Sequence, residues 1–264
     1  MRYDWNRPLS GLPAEREWYE EMDRRLFHAT VLPHGPRPFA SLLSDAALAG
    51  KTVLELGVGM GSHAQMIARA AKRFIGVDLC WSAVSSTARR LELFDTPGRV
   101  LQMDGERLAF RDESFDLVWS WGVIHHSANT RGALEEIRRV LKPDGRALVM
   151  VYHRALMPWF LYAGLIRGVL LGGFRRHRNI HEIVQSFSDG AIARYYSPRE
   201  WRAEVRGLFA VEALATYGNR DEIFPLPAGA MKERLVRMTP EAAMRFWLTR
   251  CRQGSLLFSR LRPL

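Results

Sequence analysis

The sequence feature that most constrains the fold is a run of alternating glycines, Gly57, Gly59 and Gly61, that directly follows a short apolar segment. A phosphate-binding P-loop needs a lysine after its last glycine, and none follows here. A dinucleotide loop needs a third glycine where Ser62 stands, so the spacing also argues against a nicotinamide-dependent oxidoreductase. Alternating glycines instead let the backbone approach a flat ligand closely, because no side chain intervenes. Glu55 would place a carboxylate beside the positive end of such a ligand.

Short apolar segments alternate with amphipathic ones after this loop. Such alternation is typical of an α/β fold with a parallel sheet, right-handed crossovers and helices on both faces. We predict strands over residues 53–56, 73–78, 99–104, 115–120, 146–152, 209–217 and 255–261. We predict helices over residues 15–27, 62–72, 81–93, 130–141, 155–174, 197–208 and, with a break at Pro240, 228–252. Ligands of such sheets bind at the carboxyl ends of the strands.

Acidic residues end the two predicted strands that follow the glycine loop. Asp78 closes the segment 76–78, and Asp104 lies just before Gly105. Together with the segment 115–120 and the turn 141–145, this order of motifs resembles the class I S-adenosylmethionine-dependent methyltransferases. The resemblance covers residues 50–152 and is closest to the ubiquinone/menaquinone-type branch, whose members carry the methyltransferase domain 11.

The resemblance implies a Rossmann-like, doubly wound, mostly parallel seven-stranded sheet with an antiparallel last strand and helical cap insertions. It also implies S-adenosyl-L-methionine as the cofactor. In the family the second-strand acid binds the ribose hydroxyls and the third-strand acid hydrogen-bonds the adenine amine, which points to Asp78 and Asp104. The competing interpretation is that these two acids cap helices. The predicted cofactor-binding residues are Glu55, Gly57, Gly59, Gly61, Asp78, Leu79, Asp104, Gly105, Ser120 and Trp121.

The catalytic candidates are His125 and His126, which follow the fourth predicted core strand. A histidine there has a pKa suited to removing a proton from a phenol or an amine near neutral pH. A His-His pair is frequent at this point in the resembled branch, so the pair could equally shape the loop or orient the substrate. The motif position favours His126 as the base, with Tyr152 and His153 as second-line candidates.

The methyl acceptor is expected to bind in an apolar pocket built outside the motif core. The predicted lining residues, each of which could instead serve in packing, are Tyr3, Trp5, Tyr152, Trp159, Tyr195 and Tyr196. These aromatic side chains favour a methyltransferase for a hydrophobic or aromatic small molecule, for example in secondary metabolism, by oxygen, nitrogen or carbon methylation. The alternatives are an RNA methyltransferase, a membrane-associated lipid or quinone methyltransferase, and a binding protein without activity.

Four regions organise the chain. Residues 1–49 form an N-terminal helical cap segment, residues 50–153 the cofactor-binding core, and residues 154–196 an apolar cap insertion. Residues 197–264 complete the sheet and include a helical insertion over 219–252. The insertion contains the apolar run 155–174, which we interpret as a cap helix over the active site. An interfacial helix that brings residues 155–178 into peripheral contact with a membrane is the alternative.

The net charge of +10 raises the question of a nucleic-acid partner. Only four of the 38 basic residues are lysines, and the arginines are spread along the chain, which favours solvated helix faces over a polyanion site. The tightest basic cluster is residues 175–178. Two separated cysteines, Cys80 and Cys251, provide no metal spacing, and the N-terminal residues lack an apolar signal core. We therefore predict a cytoplasmic protein without a metal, with nucleic acid disfavoured as a partner.

Overall fold

The computed structural model describes residues 15–32, 39–186, 188 and 192–264. Its centre is a sheet in the order β1-β8-β9-β6-β5-β2-β3-β4, with β7 paired to β6 beside this row. The strands are β1 (Thr30–Val31), β2 (Thr52–Leu56), β3 (Arg73–Asp78), β4 (Arg99–Gln102), β5 (Phe115–Trp121), β6 (Leu141–His153), β7 (Tyr195–Tyr196), β8 (Phe209–Asn219) and β9 (Leu256–Pro263).

The predicted mostly parallel sheet is confirmed. Strands β2 to β7 pair in parallel wherever they meet, whereas β9 runs antiparallel to both β6 and β8. All seven predicted strands are present. The two additional strands, β1 and β7, are two residues long, and so short a segment carries no alternation that a sequence could reveal. Strand β6 begins earlier than predicted, and its pairing with β5 shifts register where the predicted turn lies.

Helices cover both faces of the sheet. They are α1 (Arg16–Ala29), α2 (Asp45–Leu48), α3 (Ser62–Ala70), α4 (Trp81–Leu93), α5 (Thr130–Val140), α6 (Ile180–Gln185), α7 (Pro198–Glu204), α8 (Ala230–Met238) and α9 (Glu241–Arg245). Single turns occur at Ile124–His126, Gly173–Arg175 and Arg220–Ile223. Two wider, π-type segments are the cap helix, Leu156–Leu170, and Phe246–Arg250, which continues α9. No helix of the described residues is both long and apolar enough to cross a bilayer.

Some helices end earlier than predicted because a nearby residue terminates them. Helix α7 starts as a capping box, in which Ser197 and Glu200 satisfy each other's backbone N–H groups. It ends at Glu204 rather than at residue 208, because Gly207 adopts a left-handed φ of 79° before β8 begins. The predicted break at Pro240 is observed, since α8 ends at Met238 and α9 follows the proline.

The core forms two layers, one on each face of the sheet. Successive strand residues point to opposite faces, so Leu117 and Trp119 of β5 pack with α3 while Val118 between them packs with α5 and α7. The layer on the α7 side contains the fully buried Trp201, whose indole N–H donates to Ser259 Oγ at 3.0 Å. Because β2, β3 and β5 are parallel neighbours, their carboxyl ends lie side by side at one edge of the sheet.

A buried arginine ties the helices to the loop after β2. Arg90 of α4 is only 1% exposed, and its guanidinium donates to Gln65 Oε1 at 2.7 Å and forms an ion pair with Asp23 of α1. It also lies 5.3 Å from the ring centroid of Tyr19 and donates to the carbonyl of Met60 at 3.3 Å. One side chain therefore connects α1, α3, α4 and the glycine loop.

Replacing Arg90 by methionine is expected to lower the free energy of unfolding by about 3 kcal/mol, because the change removes a buried guanidinium and leaves the half-buried Asp23 without its partner. Arg89→Met is the matched control on the same helix. Arg89 is exposed and pairs with the equally exposed Glu92, so its loss should change stability by less than about 0.5 kcal/mol. Urea unfolding of both variants measures the difference, and equal effects would show that Arg90 does not hold the helices together.

Candidate functional site

The glycine loop lies at the carboxyl ends of β2 and β3. Gly57, Gly59 and Gly61 adopt positive φ angles of 79°, 52° and 78°, a backbone conformation that costs a side-chain-bearing residue about 1 kcal/mol or more. The N–H of Gly57 donates to the carbonyl of Val77 at 2.7 Å, so the loop starts in contact with β3. Gly61 is the N-cap of α3. We call the open space beside Gly59, at the carboxyl ends of β2 and β3, the crevice.

Each glycine is required for a different reason. A Cβ on Gly57 would lie 2.2 Å from a methyl group of Val123, so the loop is pressed against the segment that carries the two histidines. A Cβ on Gly61 would lie 3.0 Å from both Thr87 and Arg90 of α4. At Gly59 a Cβ would project into open space, with no atom within 4 Å. The middle of the loop therefore presents bare backbone to the crevice.

Glu55 is one of the buried polar side chains that lack a full set of hydrogen bonds among the described residues. Its side chain is buried, the residue is 1% exposed, and Oε2 has no hydrogen-bond partner among the described residues. Burial, reinforced by the nearby Asp78 carboxylate, raises the pKa of Glu55 well above its usual value. His63 Nδ1 lies 3.9 Å from Oε1, but burial lowers the pKa of His63 to about 3, so the imidazole is neutral near neutral pH and does not form an ion pair with Glu55.

Asp78 connects β3 to the glycine loop. One of its carboxylate oxygens accepts the N–H of Gly59 at 3.1 Å and the other accepts the N–H of Cys80 at 2.9 Å. The N-cap of α4 is Cys80, so Asp78 does not cap that helix. Each oxygen retains a lone pair for a further donor. Beside it, Leu79 is 66% exposed and presents an apolar side chain at the rim of the crevice.

Asp104 lies at the end of the next strand and is exposed. Its Oδ1 accepts the N–H of Glu106 at 2.9 Å, an interaction that stabilises a turn, and no helix of the described chain starts there. Gly105 lies against β2, where a Cβ would approach Leu56 to 3.1 Å. The helix-cap interpretation of both strand-end acids therefore has no support in the structure.

The histidine loop follows β5. His125 is fully buried, and neither ring nitrogen has a hydrogen-bond partner in the described part of the chain. Burial and the adjacent His126 lower the pKa of His125 well below its usual value, so the ring is neutral. His126 Nδ1 lies 2.6 Å from the carbonyl oxygen of Ile192. Because a carbonyl only accepts, the proton is on Nδ1 and Nε2 of the neutral ring is left as an acceptor.

Aromatic rings continue from the histidines to the cap helix in an aromatic row. The ring centroids of His125 and Tyr152 are 3.9 Å apart, those of Tyr152 and Tyr195 5.2 Å, and those of Tyr195 and Trp159 4.8 Å. Three of the six residues predicted to line the pocket are therefore contiguous. Tyr196 points to the opposite face of β7 and packs on Trp201, which corrects its prediction as a pocket residue.

The remaining predicted residues have different surroundings. Ser120 is buried, and its hydroxyl has no partner among the described residues, whereas Trp121 packs on the ring of Phe39 at 4.8 Å. His153, a second-line candidate, is engaged away from the row, where its Nδ1 donates to the carbonyl of Gly254 at 2.8 Å. Tyr3 and Trp5 lie outside the described residues.

Supporting residues that the sequence analysis missed hold both loops from behind. Thr87 Oγ1 donates to the carbonyl of Gly59 at 2.9 Å, and Arg90 bonds the next carbonyl. Arg194 donates its N–H to the carbonyl of His125 at 2.9 Å and its guanidinium to that of Ala128 at 2.8 Å. Thr87 and Arg90 share the buried stripe of α4, and a polar pair on an inward stripe is a usable sequence signal. Arg194 carries no such signal.

Known proteins are similar to this chain mainly in the part that contains the glycine loop and the histidine loop. A family model described as a methyltransferase domain matches residues 54–149. The ubiquinone/menaquinone biosynthesis C-methyltransferase UbiE of Syntrophotalea carbinolica is 33% identical over 170 residues, which cover 62% of this chain and 68% of that protein. The chain belongs to the S-adenosylmethionine-dependent methyltransferases.

Other members of this family share the core but differ in extent. An uncharacterized methyltransferase of Bacillus subtilis, YcgJ, is 35% identical over 62% of this chain and 56% of its own length. Its crystal structure superposes with a TM-score of 0.53, at 21% identity, over 86% of this chain and 100% of that one. A tRNA U34 carboxymethyltransferase of Methylococcus capsulatus is 29% identical over 53% of this chain and 40% of that protein. The chain thus spans about half the length of several curated relatives.

The family's cofactor is S-adenosylmethionine, and the crevice fits a ligand of that chemistry. The unpartnered, buried carboxyl of Glu55 suits a cationic group, and the backbone at Gly59 leaves room for a flat body. The described residues contain no group of three side chains that could hold a metal ion.

Alanine substitutions can distinguish the roles of the glycines in stability and in cofactor binding. Gly59→Ala should cost about 1 kcal/mol of stability through its positive φ and should also weaken S-adenosylhomocysteine binding at least tenfold, because the methyl group enters the crevice. Gly50→Ala is the control, since it has a φ of 74° and equally open surroundings outside the site, so it should lose stability but keep binding. Gly57→Ala should destabilise more than either, through its clash with Val123. Calorimetric binding and thermal unfolding test this, and full binding by Gly59→Ala would place the cofactor elsewhere.

Proposed function

We propose that this chain transfers the methyl group of S-adenosylmethionine to a hydrophobic or aromatic small molecule. The observation that supports this best is the contact between Gly57 and Val123, which places the histidine loop directly against the glycine loop. The aromatic row then leads from His125 to Trp159 of the cap helix. A cofactor crevice, a candidate base and an apolar surface are therefore contiguous.

In this proposal Glu55, Asp78 and Asp104 each bind a different part of the cofactor. When bound, S-adenosylmethionine supplies a methyl group already activated by a positive sulfonium. Glu55 ionises to balance the positive charge of the methionine part, and Asp78 accepts the ribose hydroxyls through its remaining lone pairs. Asp104 accepts the adenine amine, while Leu79 and Gly105 cover the faces of the ring. The bare backbone of the glycine loop permits close contact.

His126 is the residue we assign as the general base. The carbonyl of Ile192 holds its Nδ1 proton, so Nε2 accepts a proton from the acceptor's hydroxyl or amine. His125 is buried and neutral beneath it and stacks on Tyr152, which suits positioning the loop rather than exchanging protons. Arg194 fixes the carbonyl of His125 and thereby the direction of both rings.

The acceptor is proposed to bind along the aromatic row. Tyr152, Tyr195 and Trp159 present ring faces and edges that pack well on a planar or aliphatic acceptor. The similarity to UbiE supports an acceptor of quinone type among the candidates. The family model matches residues 54–149. We propose that the rest of the chain determines which acceptor, and which atom of it, is methylated.

An RNA acceptor is the alternative that a specific observation favours. The net charge is +10, and one relative of the core carries a tRNA-modifying name. It requires an affinity for RNA that falls steeply with salt. Many of the arginines are instead paired with acids, as in the contacts of Arg139 with Glu136 and of Arg146 with Glu212.

A screen with a labelled methyl donor tests the proposed function. Phenols, quinones, amines, indoles and a bulk tRNA fraction are offered separately, and transfer to one of the small molecules is the expected outcome. Mass spectrometry of whatever copurifies with the protein narrows the choice. Transfer to tRNA alone would select the alternative, and a failure to bind S-adenosylmethionine in calorimetry would contradict both.

Glu55 should make cofactor binding depend on pH. Burial raises the pKa of its carboxyl in the free protein, whereas the positively charged amine of a bound ligand favours the carboxylate. Binding therefore releases a proton wherever the free carboxyl is protonated, so affinity should rise with pH as long as the ligand's own amine stays protonated. Calorimetry of S-adenosylhomocysteine in buffers of different ionisation enthalpy measures this proton.

Glu55→Gln should abolish that pH dependence and weaken binding about tenfold or more. Glu135→Gln, at an exposed site on α5 that pairs with Arg131, is the matched control and should behave as the unmodified chain does. A pH-dependent affinity that persists in Glu55→Gln would assign the proton to another group.

His126→Ala should reduce turnover by about 100-fold or more while cofactor affinity stays unchanged, as expected for loss of a general base. His125→Ala should mainly lower thermal stability, since it removes a buried ring that stacks on Tyr152. His28→Ala, on the exposed side of α1, is the control for a lost imidazole. A decrease of less than about tenfold for His126→Ala would make the ring a positioning group.

A further inference from the structure

The cap helix exposes more apolar surface than it buries. Its inward side is small and consists of Trp159, Ala163, Gly164 and Gly168, which pack against α6 and neighbouring side chains. A Cβ on Gly164 would lie 3.1 Å from Ile180, so this side is in close contact. The exposed apolar residues of the helix and the turn after it are Leu156, Phe160, Leu165, Val169, Leu170, Leu171 and Phe174.

The winding of the helix aligns these exposed side chains. Its last turn closes with an i→i+5 bond, from the N–H of Leu171 to the carbonyl of Ile166 at 2.9 Å. Steps of four and five residues therefore fall on one side, which brings Leu156, Phe160, Leu165 and Val169 into one stripe. Leu170 and Leu171, 69% and 64% exposed, extend the stripe at its carboxyl end. We call these residues and Phe174 the cap surface.

The segment 145–181, which contains the cap surface, carries charges of one sign. No aspartate or glutamate occurs between Asp144 and Glu182, whereas the same interval contains six arginines. Three of them, Arg175, Arg176 and Arg178, are exposed directly after the apolar stripe. Helix α8 adds to this side, since Lys232 Nζ lies 5.8 Å from the ring centroid of Tyr162 on the cap helix and Met231 next to it is exposed.

We infer that the cap surface binds the anionic surface of a lipid bilayer. Exposed leucines beside a cluster of arginines match the two parts of such a surface, acyl chains and negative headgroups, with the helix lying in the interfacial plane. A nucleic acid would use the arginines but leave the leucines in water. A second copy of the chain would bring arginines against arginines across a two-fold contact, which is unfavourable.

The binding of the purified full chain to lipid vesicles tests the inference. The chain should float with vesicles that contain phosphatidylglycerol, bind those of pure phosphatidylcholine much less, and be released as salt is raised. Replacing Arg175, Arg176 and Arg178 by glutamine should lower the partition coefficient on the order of 100-fold, because each arginine near such a surface contributes about a factor of five to ten. Leu170→Gln with Leu171→Gln should lower it about tenfold.

A charge-matched control separates this site from the general positive charge. Arg73, Arg99 and Arg111 are exposed at the opposite, amino-terminal edge of the sheet, and their replacement by glutamine removes the same charge. That variant should bind vesicles within about threefold of the unmodified chain, because distant exposed charges are screened. Thermal unfolding and S-adenosylhomocysteine binding are measured on every variant, and both should be unchanged, so a failure of the cofactor assignment is recognised separately.

Three outcomes would overturn the inference. The first is equal loss of vesicle binding in the control and the cap-surface variants. The second is no vesicle binding by the unmodified chain at any salt concentration. The third is a dimer that the Leu170 and Leu171 substitutions convert to monomer, without vesicle binding, since the surface would then be a contact between copies.

Discussion

The left-handed backbone of the glycine loop is the constraint on which the rest of the structure depends. Three residues with positive φ allow the chain to leave β2, pass the crevice without a side chain and enter α3. The loop also fixes what surrounds it, because Gly57 admits Val123 of the histidine loop and Gly61 admits Arg90 of α4. The proposed cofactor side and the proposed acceptor side of the site are thus joined through one short piece of backbone. Asp78 and Thr87 bond the same piece from β3 and α4.

Suppressed charge is the second common feature of the site. Glu55, His63 and His125 are buried, and burial shifts each pKa toward the neutral form. Buried side chains in the neutral form avoid the cost of an unpaired charge when no ligand is bound. A ligand that carries a positive charge can then stabilise the ionised form of such an acid. The buried, charged Arg90 is the exception, and it is compensated by Asp23 and by four further contacts that hold it behind the loop. The permanent positive charge of Arg90 therefore lies behind the loop, apart from the place proposed for the positive charge of the ligand.

The proposed sites for the cofactor and for the acceptor draw on different parts of the chain. The family model ends at residue 149, and the relatives share the core strands and loops. The aromatic row begins in that core at His125 but is completed by Tyr195 and Trp159, which lie beyond it. The same insertion turns its other side, the cap surface, outward. A single helix thus borders the proposed acceptor site and supplies the proposed membrane contact, and this arrangement allows a common core to serve different acceptors.

The sequence by itself determined the order and type of nearly all core elements, the cofactor family and the positions of three acids in or directly after β2, β3 and β4. These follow from local properties: hydrophobic periodicity, turn residues and the conformational freedom of glycine. Only the tertiary structure decided which side chains meet. Arg194 reaches the histidine loop from far along the chain, Tyr195 and Tyr196 separate to opposite faces of a strand too short to recognise, and Ile192 sets the proton on His126. Such contacts depend on strand facing and long-range packing, which no local pattern of residues contains.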